Sequence, residues 1–141
     1  MFEFIDFDTN ENNVIEDYIK EFEKETGVEF PSILVDFYMN HNRCKIKEFS
    51  FFVHDLEFSV EFIIPLKYGN ICVENVMRFN EGNEYVPNTF IPLAEDVDGD
   101  DFYWDSNSKK VYYLAMGNVE NPIPICDSVE QFFEILNEFC K

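Results

Sequence analysis

Residues 90–114 read FIPLAEDVDGDDFYWDSNSKKVYYL, and the fold turns on how this stretch is parsed. Phe90-Ile91-Pro92-Leu93-Ala94 is a short apolar run bounded by charge, the pattern of a buried strand. Glu95-Asp96-Val97-Asp98-Gly99-Asp100 follows as an acidic loop. Beyond it Phe102 and Trp104 alternate with Asp101, Tyr103 and Asp105, and after Ser106-Asn107-Ser108-Lys109 the residues Val111 and Tyr113 alternate with Tyr112 and Leu114. Aromatic and β-branched residues at period two on either side of a polar break predict a hairpin. Asn107 is the residue in that break expected to take a left-handed conformation.

The order of these pieces, an "IPLA…D…GD" strand and loop, an aromatic strand ending in Asp105, a turn and the "KVYYL" strand, resembles the SUKH superfamily. That superfamily contains yeast cell-wall-synthesis regulators and bacterial immunity proteins against secreted toxins. Two further stretches carry the likeness. Glu21 to Pro31, EFEKETGVEFP, is similar to the family's helix ending and helix start, and Asp127 to Phe139 is similar to its closing helix. The resemblance spans nearly the whole chain. It implies an α+β domain with an antiparallel-rich central sheet covered by helices, and a function in binding another protein.

The flanking segments are read in the same terms. Met1 to Asp8 alternates Phe2, Phe4, Ile5 and Phe7 with acids, as a short edge strand or an arm on the core. A helix is expected from Asn12 or Asn13, with Asn13 and Glu16 as a capping-box pair, Val14, Ile15, Tyr18, Ile19 and Phe22 as its apolar stripe, and Gly27 as its stop. Pro31 is expected at the first position of a second helix, whose stripe is Ile33, Leu34, Phe37 and Tyr38. Where the family usually has Asn-Gly this chain has His41-Asn42, so an Asn is expected to take the positive φ of that turn. Lys45 to Val53 and Phe58 to Leu66 predict two strands joined through His54-Asp55-Leu56-Glu57. Asn70 to Phe79, with Ile71, Val73 (or Cys72), Val76 and Phe79 near helical spacing, predicts a short helix that Gly82-Asn83 ends. After a loop at Gly117 to Pro122 and a short strand at Ile123-Pro124-Ile125, a last helix is expected. Its cap pairs Ser128 with Gln131, or Asp127 with Glu130, and its stripe is Val129, Phe132, Phe133, Leu136 and Phe139.

A chain of 141 residues suits one domain, and 46% hydrophobic composition with 17 Phe and 7 Tyr is far too apolar for a disordered one. No linker or repeat divides it, so residues 1–141 are expected to form a single domain. No apolar run is long enough for a membrane span and no basic region precedes an apolar stretch at the start, so the expected location is the cytoplasm. Cys44, Cys72, Cys126 and Cys140 are scattered without metal-ligand spacing and are expected to be reduced.

Charge bears most directly on function. Asp and Glu number 29 against 10 Lys and Arg, a net charge of −19. Such a chain has no basic face to offer phosphates, which disfavours nucleic acid and anionic membranes as partners; the excess acid reads either as a means to solubility or as a match to a basic protein partner. Six carboxylates fall in the eleven residues from Glu95 to Asp105. They do not form a calcium loop: counted from Asp96, Gly99 stands at the fourth place instead of the sixth, and Asn107 stands where a bidentate Glu is required. No nucleophile elbow, phosphate-binding Gly cluster or base for a named nucleophile is present, and no cofactor is expected. The candidate partner-binding residues are Glu95, Asp96, Asp98, Asp100, Asp101, Tyr103 and Asp105. Trp104 is expected in the core. Two roles follow, an immunity protein that covers a basic toxin, or a regulatory scaffold in envelope assembly; an enzyme or calcium binder at Glu95 to Asp105 is the third.

Overall fold

The computed structural model describes residues 5–6, 13–43, 45–46, 49–115 and 121–139. Five strands, β5 (Phe62–Ile63), β6 (Phe90–Glu95), β7 (Asp101–Asp105), β8 (Val111–Leu114) and β9 (Ile123–Cys126), pair in sequence order as an antiparallel meander. The hairpin β3 (Phe49–Val53) and β4 (Leu56–Val60) forms a separate two-stranded sheet, and β1 (Ile5–Asp6) pairs with β2 (Lys45–Ile46). Helices α1 (Glu16–Thr26), α2 (Ser32–Asn40), α3 (Val73–Asn80) and α4 (Val129–Phe139) complete an α+β fold.

Alternation along β7 divides the apolar residues between two layers. On one face Phe102 and Trp104 join Ile91, Val111, Phe37, Phe132 and Leu136 in the main core. The Phe102 ring lies at its centre, with ring centroids 6.1 Å from Phe51 and 6.2 Å from Phe58 of the hairpin, 5.0 Å from Tyr113 of β8 and 5.4 Å from Phe132 of α4. On the other face Tyr103, Phe90 and Leu114 form a small second cluster with Val86 and Tyr112 packed on it. Both Trp104 and Tyr103 are therefore buried, because β7 is covered on both sides.

Irregularities in the meander have chemical causes. Pro92 has no N–H to give the ladder, and the register shifts beside it, leaving Leu93 as an extra residue between the pairs Pro92–Tyr103 and Ala94–Phe102. Leu93 instead accepts from the amide of Ile64 at 3.0 Å. Pro124 sits on β9, the outer strand of the sheet, the position at which a residue without an N–H is tolerated.

Several local expectations are corrected. Asn13 does not cap α1: the N-cap position is Ile15, 68% exposed, and the Asn13 side chain accepts from the amide of Asn42 at 3.2 Å. The preceding extended residue Val14 is tied by its amide to Tyr38 of α2, which delays the helix. Pro31 stands one place outside α2, with ψ 149°. The left-handed residue after α2 is Arg43, not an Asn, because Asn42 is fully buried and clasps the backbone of Leu66, accepting at 2.9 Å and donating at 2.8 Å. The β3–β4 turn is the two residues His54 and Asp55 at φ 52° and 63°, so Leu56 and Glu57 already belong to β4. Helix α3 begins at Val73 and packs through Val73 and Met77, which turns Phe79 and Ile71 to solvent. In the β7–β8 turn the positive φ falls on Lys109 instead of Asn107.

Other expectations hold. Gly27 ends α1 at φ 73° with its amide on the Glu23 carbonyl. Ser128 accepts from the Gln131 amide at 3.0 Å, and Gln131 in turn accepts from the Asp127 amide at 2.8 Å, a capping box displaced by one residue. Val129, Phe132, Phe133 and Leu136 are buried. Most of Met1 to Asp8, most of the Gly117 to Pro122 loop, Cys44, Cys140 and the Phe139 side chain lie outside the described residues.

Replacing Phe102 by Ala removes the ring on which four elements meet and is expected to cost about 3–5 kcal/mol in urea unfolding. The exposed Phe52→Ala change, as a comparison, is expected to stay within about 0.5 kcal/mol.

Candidate functional site

The connection from β6 to β7 is held by one carboxylate. Asp96 is 5% exposed, and its Oδ1 accepts from the amides of Asp98 and Asp100, each at 2.9 Å. Its Oδ2 accepts from the Tyr113 hydroxyl at 2.6 Å. The main chain closes the same turn, with the Asp96 amide donating to the Asp100 carbonyl at 2.8 Å and Gly99, at φ 87°, donating back to Asp96. An Asp side chain that turns back onto the amides two and four residues on is the local preference of the residue itself. Because both oxygens are satisfied, the cost of taking this charge out of water is offset. Burial, followed by the hydrogen bond to Asp96, pushes the Tyr113 hydroxyl well above its usual range, so it remains a donor.

The other candidate residues fall in distinct places. Asp98 is exposed at the loop tip beside Val97, and Asp100 is half-buried with a carboxylate oxygen 3.4 Å from the Tyr113 hydroxyl. Glu95 and Asp101 are cross-strand partners, both half-buried. Burial and then the Glu95 charge push Asp101 up to about 7, and burial followed by Glu61 and Asp96 raises Glu95 as well. Tyr103 is 4% exposed; its hydroxyl accepts from Asn80 at 3.1 Å and donates to Asp101 at 3.3 Å. Asp105 is at the opposite end of β7, about 13 Å away along the strand, where it accepts from the amide of Asn107 and the hydroxyl of Ser108. Burial pushes its carboxyl up, but the hydrogen bonds outweigh this and hold it below its usual value. Glu95, Asp96, Asp98, Asp100 and Asp101 thus share one end of the sheet, Tyr103 lies beneath them, and Asp105 is apart.

The structure adds neighbours that the reading of the sequence missed. The Val97 amide donates to Ser59 Oγ at 3.4 Å and the Glu61 amide to the Glu95 carbonyl at 2.8 Å, which sets the loop against β4. Ser59 pairs with Ser50 and Glu57 with Phe52, so Phe52, Glu57 and Ser59 share the outward face of the hairpin. Phe52 is 68% exposed and Val97 48%. The signal for Phe52 was present: in a period-two strand the adjacent Phe51 and Phe52 must point to opposite faces, and Phe51 is the buried one.

Reactive groups elsewhere are subdued. Burial pushes the Cys126 thiol up to about 12 and raises that of Cys72, so neither is a thiolate at neutral pH. Both are free thiols. Among the described residues no group of three or more His, Cys, Asp or Glu is placed to hold a metal ion.

A family model described as SMI1 / KNR4 family (SUKH-1) matches residues 13–135, from just before α1 to within α4. The chain belongs to this family. The match takes in the meander, the acidic loop and the hairpin beside it. SUKH proteins include immunity proteins and SMI1/KNR4 regulators; they are generally non-catalytic and bind protein partners. No curated protein matches the chain. Among the described residues no helix is long and apolar enough to cross a membrane.

Two expected outcomes check this geometry. Asp96→Ala leaves the amides of Asp98 and Asp100 without their acceptor and is expected to speed their hydrogen exchange and to cost about 1–3 kcal/mol. Asp101 binds a proton more tightly folded than unfolded, so its contribution to stability is full below about pH 4 and is lost as pH rises toward about 7. Asp101→Asn is therefore expected to leave the melting temperature near wild type at pH 4 and to raise it by about 3 °C or more at pH 8, measured by calorimetry across pH.

Proposed function

We propose that this chain is a non-catalytic acidic binding protein, an immunity protein that neutralises a cognate toxin by covering the basic, substrate-binding groove of a nuclease-type domain. The observation that carries the reading is the Asp96-locked loop, which exposes Val97 and Asp98 and is tied through Ser59 to the hairpin face that carries exposed Phe52. A loop already fixed by three hydrogen bonds loses little conformational entropy on binding. Exposed Phe52 with Glu57 across the strand from it, and exposed Val97 next to Asp98, suit a partner that brings Lys or Arg together with apolar groups. The net charge of −19 adds a long-range field that speeds encounter with such a partner. Coverage of roughly 800 Å² on each side would be a standard-sized interface. The Glu95–Asp101 pair lies at the base of this surface, and a cation from the partner placed there would lower both proton affinities.

Cytoplasmic residence belongs to the same proposal, since that is where a nuclease toxin would meet its substrate. The SMI1 / KNR4 description of the matched family supports a second reading, a regulatory scaffold in envelope assembly. A neighbouring toxin gene favours the first and an envelope operon the second.

The test is capture of a basic toxin domain on the tagged protein, followed by calorimetric titration of the purified pair between 50 and 300 mM salt, conditions chosen to vary the Debye length by about twofold. Affinity is expected to fall at least tenfold over that range, and Asp98→Lys with Asp100→Lys is expected to lower it at least as much. Affinity that ignores both salt and charge reversal would refute occlusion by this surface.

A further inference from the structure

A second surface lies between α1 and α3, apart from the acidic loop. A groove of about 640 Å³ is lined by Tyr18, Phe22, Met77, Val86 and Phe90, with Thr26, Asn80 and Asn88 among them. This volume lies in the range of built ligand sites. Its edges carry Glu21 and Glu25 from α1 and Glu74 and Glu81 from α3 and its end, against the single guanidinium of Arg78. Glu21, Glu25 and Glu81 are exposed, and among the described residues the one ion pair, Lys20 with Glu16, uses none of them. Glu74 accepts from the Lys67 amide and the Tyr18 hydroxyl, which fixes one wall of the groove. The combination is a trough between two helices, lined by apolar and polar groups in about equal measure, with a net charge of about −3 among its lining residues, four carboxylates less one guanidinium.

From this we infer that the groove docks an amphipathic segment of a protein partner, apolar along one side and Lys- or Arg-bearing at its edges. The charge of the rim selects the occupant. A purely apolar segment would leave the carboxylates beside a low-dielectric surface without compensation, and an acidic one would be repelled. A basic amphipathic helix gives both matches at once, with anchors at i, i+3, i+4 and i+7 in the groove and cations opposite Glu21, Glu25 and Glu81. The loop at residues 96–100 follows the end of β6 whereas the groove touches only its first residue, Phe90, so the chain holds two separable contact surfaces.

The test uses two synthetic 15-residue peptides titrated into the isotopically labelled full chain, with amide shifts read by nuclear magnetic resonance. One peptide has Leu at helical spacing with Lys on the flanks; the other keeps every Lys and has Ser for each Leu. The first is expected to shift amides of residues 18–26, 74–81 and 86–90, and to bind at least tenfold more tightly than the second. Met77→Arg, which puts bulk and positive charge in the groove, is expected to weaken binding at least tenfold. Glu21→Lys with Glu81→Lys, on exposed positions that folding does not need, is expected to do the same, while Asp98→Lys with Asp100→Lys leaves it unchanged. Equal binding of both peptides, shifts confined to residues 95–101, or indifference to the α1 and α3 substitutions would overturn the inference. So would a concentration-dependent dimer that shifts the same amides without peptide, which would assign the groove to a second copy. The loop reversal separates this result from the occlusion test, since each set of substitutions touches one surface.

Discussion

The ring of Phe102 is the contact on which the structure depends. It lies on the inward face of the middle strand, and the hairpin, the next strand and the C-terminal helix all reach it. These elements are remote in sequence, so the ring converts period-two alternation in a five-residue strand into a three-dimensional arrangement. Interiors are packed as densely as organic crystals, and a group that fills a junction of this kind fixes the relative placement of everything around it. The acidic loop and the hairpin flank the same junction, so the distance between Val97 and Ser59 is set from inside the molecule.

Electrostatics oppose this packing. A net charge of −19 on 141 residues repels itself, and among the described residues one ion pair forms. The fold lessens the conflict by separating two uses of carboxylate. Asp96 and Asp105 are spent on backbone amides, where the charge is satisfied locally. Glu95 and Asp101 are packed against one another and raised in proton affinity, a sign that this corner holds more negative charge than it accommodates comfortably. Unsatisfied like charge at a ready-formed surface is the condition that a cationic partner relieves.

Much of the architecture was legible from the chain because alternation and helical stripes are properties of consecutive residues. The strands around Phe102, the helix stripe from Val129 to Leu136 and the stop at Gly27 required only local periodicity and cap chemistry. What escaped depended on distant partners. Asn13 reads as a helix cap until Asn42 claims its oxygen from 29 residues away, and Asn42 reads as a turn residue until the backbone of Leu66 takes it into the core. Positive φ at Arg43 and Lys109 falls on residues without an intrinsic preference that would announce it, whereas His54 and Asp55 are of types enriched in that region. The site was legible in the same proportion. The sequence marked a concentration of carboxylates, but the inward turn of Asp96 depends on the distant Tyr113, and the burial of Tyr103 and the outward placement of Phe52 depend on how the β6–β7 and β3–β4 pairs are covered.

The clamp at Asp96 divides labour within its loop. It grips amide groups, which every residue but proline supplies, and leaves the side chains at 97 and 98 outside the grip, while the Asp100 carboxylate reaches back to the Tyr113 hydroxyl. The identities of positions 97 and 98 are consequently decoupled from the shape of the turn, provided that Gly99 retains its freedom. What the turn displays at those positions can therefore change while the frame that presents it stays constant.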